Sequence, residues 1–248
     1  GLAYPGAGSD SDNRKAADER KARKYNVRTY ESFPIRHWDR WLDELRPTLV
    51  VQPLDGTSPA RDLLAGSALR RERGYGGRLG NEGDTLDAAW TPDGGGVVFA
   101  ATTNRHEAAR AEVDLSLWLV SLAGGEPRRL TGDDGDYASP DFTHDGSTLL
   151  AKVQPTAKKY VYTASRLVRW SWPSLADRRV LTADIDVSVG DHAAAPDNRR
   201  VFFLAERDGH ERLFEVPLAG GTASEVGALT SGTYSQLQVG GSPESPVV

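Results

Sequence analysis

Apolar and polar positions along this chain recur in register. Three short runs have strand character: Val97-Val98-Phe99-Ala100, Thr148-Leu149-Leu150-Ala151 and Val201-Phe202-Phe203-Leu204. Each follows a polar turn, read as Ala89-Trp90-Thr91-Pro92-Asp93-Gly94, Asp141-Phe142-Thr143-His144-Asp145-Gly146 and Ala193-Ala194-Ala195-Pro196-Asp197-Asn198. Asp93, Asp145 and Asp197 stand 52 residues apart, so every repeat holds at least one tight hairpin. The second half of the unit repeats as well. Leu117-Trp118-Leu119-Val120-Ser121-Leu122-Ala123-Gly124-Gly125 is answered by Leu213-Phe214-Glu215-Val216-Pro217-Leu218-Ala219-Gly220-Gly221, and Leu-Thr pairs follow at Leu130-Thr131, Leu181-Thr182 and Leu229-Thr230. Short strands at a period of about 40 to 55 residues predict an all-β chain, a β-propeller with one four-stranded antiparallel blade per repeat.

Within the first full copy the pattern predicts an inner strand ending near Trp90, a second over Val97 to Thr102, a third over Leu117 to Leu122 and an outermost one over Arg128 to Thr131. Blade ends fall near 63, 131, 182 and 230. Thr48-Leu49-Val50-Val51-Gln52-Pro53-Leu54-Asp55-Gly56 repeats the strand-and-turn register, so a blade is under way before residue 60, and another begins over 231–248. About three full blades with partial ones at both ends, over 25–248, predict an arc cut from a larger propeller and hence a piece of a longer protein. Residues 1–24 are polar, with nothing larger than Ala between Asp12 and Lys24, and read as a linker or a solvated helix. The connection from Thr103 to Asp114, containing Asn104-Arg105-His106-Glu107, is longer than its counterpart in the third copy; such connections are where partners bind.

Composition narrows the function. Hydrophobic content of 38% with 26 Gly and 14 Pro suits short strands joined by tight turns. A net charge of −5 argues against a surface for a nucleic-acid backbone, which needs a clustered excess of Lys and Arg. The absence of Cys removes disulfides, thiolate metal sites and a cysteine nucleophile. No run approaches the ~18 apolar residues of a membrane span. The five His residues, at 37, 106, 144, 192 and 210, lack paired ligand spacing, and Asp133-Asp134-Gly135-Asp136 lacks the further oxygen ligands of a calcium loop, so neither metal nor cofactor is expected.

Arg36-His37-Trp38-Asp39 is the cluster with candidate chemistry. In one reading Arg36, His37 and Asp39 bind substrate, a guanidinium or imidazole holding a peptide carboxylate or carbonyl through charge-assisted bonds. In the other, Trp38 and Trp41 anchor the core while Arg36 and Asp39 pair to close an unusual blade. Trp90 and Phe142 share a repeat position and read as blade-packing residues, and Trp170 and Trp172 alternate onto one face of a strand.

Two sets of residues carry a family resemblance. The Pro-Asp-Gly, strand, Gly-Gly repeats resemble TolB-type propellers. The stretch from Tyr30 to Pro47, with Arg36-His37-Trp38-Asp39-Arg40-Trp41-Leu42-Asp43 at its centre, resembles propellers of bacterial prolyl oligopeptidase-family serine peptidases, of the acylaminoacyl-peptidase and dipeptidyl-peptidase type. The chain departs from that pattern at Thr48, where His is expected, and at Asn198, where Gly is expected. The resemblance implies a partner α/β-hydrolase domain carrying a Ser, Asp, His triad, with the nucleophile in a Gly-x-Ser-x-Gly elbow. Gly56-Thr57-Ser58-Pro59-Ala60 and Gly240-Gly241-Ser242-Pro243 do not match that elbow, so no catalytic residue is placed on this chain. What it implies here is a non-catalytic propeller that covers an active site and limits substrates to short peptides; bacterial peptidases of this kind are often exported, which leans toward the periplasm without fixing the compartment. A stand-alone TolB-like propeller that binds a protein partner is the alternative. A sugar-acting or lyase-type propeller enzyme is a third, and the scattered His residues count against it.

Overall fold

The computed structural model describes residues 1–30, 33–42, 44–80, 83–156, 162–227 and 232–248, and not the side chain of Arg40. The three repeat turns share one backbone solution. Gly94, Gly146 and Asn198 all adopt a left-handed conformation, at φ of 66°, 69° and 55°. That conformation crowds a Cβ, and Asn is among the few side chains that tolerate it, which accounts for the one departure from Gly. The turn is tied by its own side chains. Thr91 Oγ1 donates to Asp93 Oδ1 at 2.6 Å, Thr143 Oγ1 to Asp145 Oδ1 at 2.7 Å, and the Ser147 and Arg199 amides donate to Asp145 and Asp197 at 3.0 and 2.8 Å. These contacts, led by the Ser147 amide, hold the Asp145 carboxyl below the usual range.

Each turn opens a four-stranded antiparallel sheet with its strands in chain order. The first comprises Ala88–Trp90, Gly96–Ala101, Ser116–Ser121 and Arg128–Arg129. The second comprises Gly135–Phe142, Thr148–Pro155, Arg166–Ser171 and Ala176–Val180. The third comprises Val189–Ala194, Arg200–Arg207, His210–Pro217 and Ser224–Glu225. The recurring Leu-Thr pair extends the fourth strand. Leu130 and Leu181 donate their amides to the carbonyls of Leu117 and Leu167, and the hydroxyls of Thr131 and Thr182 accept the Leu117 and Leu167 amides, each at 3.0 Å. Leu229 and Thr230, the third such pair, lie outside the described residues.

Two compact units divide the chain, Gly1–Trp90 with Gly94–Thr131, and Thr91–Asp93 with Gly132–Val248. In the first, Val97, Phe99 and Val120 of the sheet are covered by Leu63, Leu64, Leu69 and Tyr75. A helix over Asp10–Lys21 starts at Ser9, whose hydroxyl accepts the Asp12 amide, carries acids in its first turn and bases in its last, and buries nothing. The residues ahead of it are anchored: Leu2–Ala3 pairs with Arg46–Pro47, and Ala3 is fully buried. That anchor rests on Arg70, which pairs with Asp62 and donates to the carbonyls of Tyr4 and Ala7 at 3.1 and 2.8 Å. The paired side chains are only 6% and 9% exposed. Thr48, found where His was expected, is buried and donates its hydroxyl to Asp62.

In the second unit, Leu150 and Leu167 pack with Phe203, Phe214 and Val216. Phe203 and Phe214 stack with centroids 5.4 Å apart. Trp170 lies 5.8 Å from Tyr137, whose hydroxyl donates to Asp134 at 2.8 Å and accepts from Arg178 at 3.1 Å. Burial pushes that phenol up to about 12. Asp134 is therefore taken up by this network and by its ion pair with Arg178 at 3.1 Å. His192, on the first strand of the third sheet, encloses both ring nitrogens without a hydrogen-bond partner. Desolvation, and secondarily the charge of Lys152, depress its pKa to about 3.

Three outcomes follow from these contacts. Arg70→Ala leaves the Asp62 carboxylate buried with its counter-charge gone and is expected to cost about 3–5 kcal/mol in urea unfolding. Arg14→Ala, at an exposed helical pair with Asp10, is expected to cost under ~0.5 kcal/mol in the same measurement. For His192 the folded pKa lies below the unfolded value of 6.5, so the neutral ring's contribution is complete above that pH and is lost as pH falls toward 3. Stability should drop by up to about 1.4 kcal/mol per pH unit through this window. His192→Phe should flatten that slope, read from urea midpoints between pH 4 and 7.

Candidate functional site

The Gly74-Tyr75-Gly76-Gly77 segment builds a cleft in the first unit because it has almost no side chains in the way. Gly76 and Thr102 form an antiparallel bridge and Gly74 and Asn104 a parallel one, which brings the long Thr103–Asp114 connection alongside. A Cβ at Gly76 would lie 2.0 Å from the Arg105 guanidinium carbon, and one at Gly74 would lie 2.2 Å from His106 Nδ1. Only glycine admits these two side chains here. Arg105 is then gripped on both prongs: it pairs with both carboxylate oxygens of Asp84, Nη2 to Oδ1 at 2.9 Å, and donates to the Gly77 carbonyl at 2.6 Å. Asp84 also accepts the Gly77 amide at 2.8 Å, so the planar fork is fixed in place.

Around this pair opens a cleft of about 420 Å³. Arg20, Arg28, Arg46 and Arg73 line it beside Arg105, with Glu44 and Asp84 as the acidic groups among the described residues. Arg20 pairs with Glu44 at 3.1 Å. Arg46 donates to the Glu72 carbonyl at 2.6 Å, and burial lowers its pKa, the charge of Asp84 offsetting only part of the lost hydration. Tyr75 forms the floor. It is buried, donates its hydroxyl to the Pro47 carbonyl at 2.8 Å, and burial raises its pKa above the usual phenol range. Tyr30, 6.4 Å from the Trp41 ring, adds a buried hydroxyl with no hydrogen-bond partner, and the Nδ1 of His106 is likewise enclosed and unpartnered. A second hollow of about 460 Å³ shares Phe33, Arg73 and His106. The recess brings fixed cations, a phenol hydroxyl and an imidazole together, groups whose chemistry suits negative charge.

The Arg-His-Trp-Asp cluster lies apart from these groups. Arg36–His37 pairs with Arg40–Trp41 in a two-stranded hairpin turned at Trp38, which has φ of 50°, and Asp39. Arg36 and Asp39 are exposed and His37 half-buried, and none of the three lines the cleft, to which this segment contributes Phe33, Pro34 and Leu42. Among the described residues no ion pair joins Arg36 to Asp39. The reading of Trp38 and Trp41 as core anchors is overturned: they are 80% and 53% exposed, one at the tip of the turn and the other on a two-stranded ribbon. Trp90 is likewise not packed into its blade. It is 55% exposed and borders an apolar hollow with Val51, Pro53 and Leu122, whereas Phe142 meets Trp172 edge-on at 5.2 Å. Glu31, Ser32 and Asp43 lie outside the described residues.

Sequence reasoning marked the Thr103–Asp114 connection but missed the arginines it meets. The signal was the glycine-dense Gly74-Tyr75-Gly76-Gly77 followed by Asp84, a stretch where side chains are removed for something else to approach. Among the described residues no three His, Cys, Asp or Glu side chains group as a metal site, and no helix is long and apolar enough to cross a membrane.

No protein-family model matches the chain. Over 205 residues, 82% of its length, it is 21% identical to dipeptidyl-peptidase 5 of Porphyromonas gingivalis, and it spans only 29% of that protein. Among solved structures, a puromycin-hydrolyzing peptidase of Mycobacterium tuberculosis superposes on 70% of this chain and 26% of that one, with a TM-score of 0.50 and 15% identity. TolB from Acinetobacter baumannii superposes on 72% of this chain and 37% of that one, with a TM-score of 0.45 and 18% identity. With three four-stranded sheets among the described residues at a 52-residue period, the chain is a β-propeller segment that resembles the propellers of prolyl oligopeptidase-family peptidases.

Proposed function

We propose that this chain is the propeller portion of a serine peptidase acting on short peptides. In this reading it covers and narrows the approach to a Ser, Asp, His site on a partner α/β-hydrolase domain, and contributes no triad residue itself. The observation that carries the reading is the 205-residue similarity to a dipeptidyl-peptidase of which the chain spans less than a third. A propeller placed over a nucleophile selects by size: an extended peptide passes and a folded protein does not. Arg36, His37 and Asp39, on the exposed hairpin, would meet the peptide, Arg36 by a charge-assisted bond to a carboxylate or carbonyl. A second reading, a TolB-like module that binds a protein partner, draws on the exposed Trp38 and Trp41, since rigid aromatics are the residues that anchor protein interfaces.

The gene's reading frame past Val248 and the activity of its whole product separate the two. The peptidase reading expects a Gly-x-Ser-x-Gly elbow and hydrolysis of dipeptidyl and aminoacyl chromogenic substrates, falling roughly 10⁴-fold or more when the elbow Ser becomes Ala. Casein should resist cleavage, and Arg36→Ala should raise KM by about tenfold. A frame without the elbow, and a product that turns over none of these substrates, would transfer the assignment to the binding module.

A further inference from the structure

We propose that the arginine-lined cleft binds a small organic carboxylate carried on an apolar body. Three independent features converge on that ligand class. The first is charge. Arg28 and Arg46 line the cleft with no ion pair to a carboxylate among the described residues, an excess of positive charge in a chain whose formal net charge is −5. Asp84 answers Arg105 and Glu44 answers Arg20. Arg46 donates through Nη1 to the backbone carbonyls of Arg70 and Glu72, which leaves its charge standing. Arg28 makes no hydrogen bond or ion pair among the described residues. A recess with this excess concentrates small anions.

The second feature is an unused donor. The Tyr30 hydroxyl is buried and lacks a partner, although a buried phenol ordinarily finds one. A phenol that donates, set in the same cleft as a free guanidinium, matches the two oxygens of a carboxylate. The third feature is the wall opposite the charge. Phe33, Pro34, Leu42 and Leu45 line the same cleft, so a ligand that fills it carries apolar surface behind its charged end. A volume of about 420 Å³ lies in the range of small-molecule sites. Two sources share this chemistry, the free carboxyl terminus of a short peptide and a free monocarboxylic acid.

Isothermal titration of the whole chain at low salt, with N-acetyl-leucine, N-acetyl-leucine amide, hexanoate and inorganic phosphate, tests the assignment. The expected result is that at least one carboxylate binds and that N-acetyl-leucine binds at least tenfold tighter than its amide, with affinity falling as salt is added. N-acetyl-leucine binding more tightly than hexanoate assigns a peptide terminus, and the reverse order assigns a free acid. Arg28→Gln and Tyr30→Phe should each weaken the binding about tenfold without moving the melting temperature, while Arg14→Ala should change nothing. Equal binding of acid and amide, phosphate binding tighter than either acid, undisturbed affinity in both cleft variants, or no heat at all would overturn the proposal. Because the titration needs no peptide hydrolysis, its outcome is independent of the peptidase reading.

Discussion

Strands that are apolar on both faces dictate the rest of this structure. Every residue of Gly96–Ala101 is buried, as are the central residues of Thr148–Pro155 and Arg200–Arg207. Such a sheet cannot stand with one face in water, because each exposed face would return its apolar surface to solvent. It must be covered on both sides by neighbouring layers. Within the first unit the cover comes from Leu63, Leu64, Leu69 and Tyr75; within the second, adjacent sheets cover one another through Leu150, Leu167, Phe203 and Phe214. The 52-residue period is the sequence expression of that requirement, since a layer that needs a like neighbour is satisfied by repeating itself.

Tight layering leaves little freedom for polar groups, and the ones enclosed are matched closely. Asp62 is met by Arg70, by the Thr48 hydroxyl and by the Leu64 amide, and Asp84 by Arg105 and the Gly77 amide. Both pairs bind parts of the first unit that have only short pairings to hold them: the N-terminal strand with its two-residue ladder in one case, the glycine segment and the long connection with two isolated bridges in the other. Backbone carbonyls complete the shells of Arg70 and Arg105, so each guanidinium is satisfied without a second carboxylate. His192 and Tyr30 are two of the exceptions, polar atoms enclosed without a partner, and they sit in different units with different consequences. The histidine stays neutral and makes stability sensitive to acid, whereas the tyrosine lines an open cleft with an unused donor.

Chemistry therefore concentrates where regular pairing lapses. The cleft is assembled from the segment between the N-terminal helix and the exposed hairpin, from the glycine segment, and from the connection inside the first sheet. These are loops held by a rigid frame, the usual arrangement for recognition. The exposed hairpin belongs to the same region and shares Phe33, Pro34 and Leu42 with the cleft. A ligand in the recess and a partner on the hairpin would thus be sensed by one short stretch of chain.

What the sequence determined by itself was local and periodic. The turn at Pro92-Asp93-Gly94 and its two successors, the left-handed residue in each, the apolar second strand and the Leu-Thr pair closing the fourth strand all follow from interactions within a few residues or across one hairpin. The strands expected over Val97 to Thr102 and Leu117 to Leu122 form within a residue of those bounds. Tertiary structure decided what depends on distant neighbours. Trp38 and Trp41 look like core residues by type, yet both are exposed among the described residues. Arg105 and Asp84 are 21 residues apart and meet because Gly76 lets the backbone pass beneath the guanidinium. Hydrophobicity and turn chemistry are properties of a residue and its immediate neighbours, so they can be read along the chain. Exposure and charge pairing are properties of what folds back against a residue, and only the assembled layers settle them.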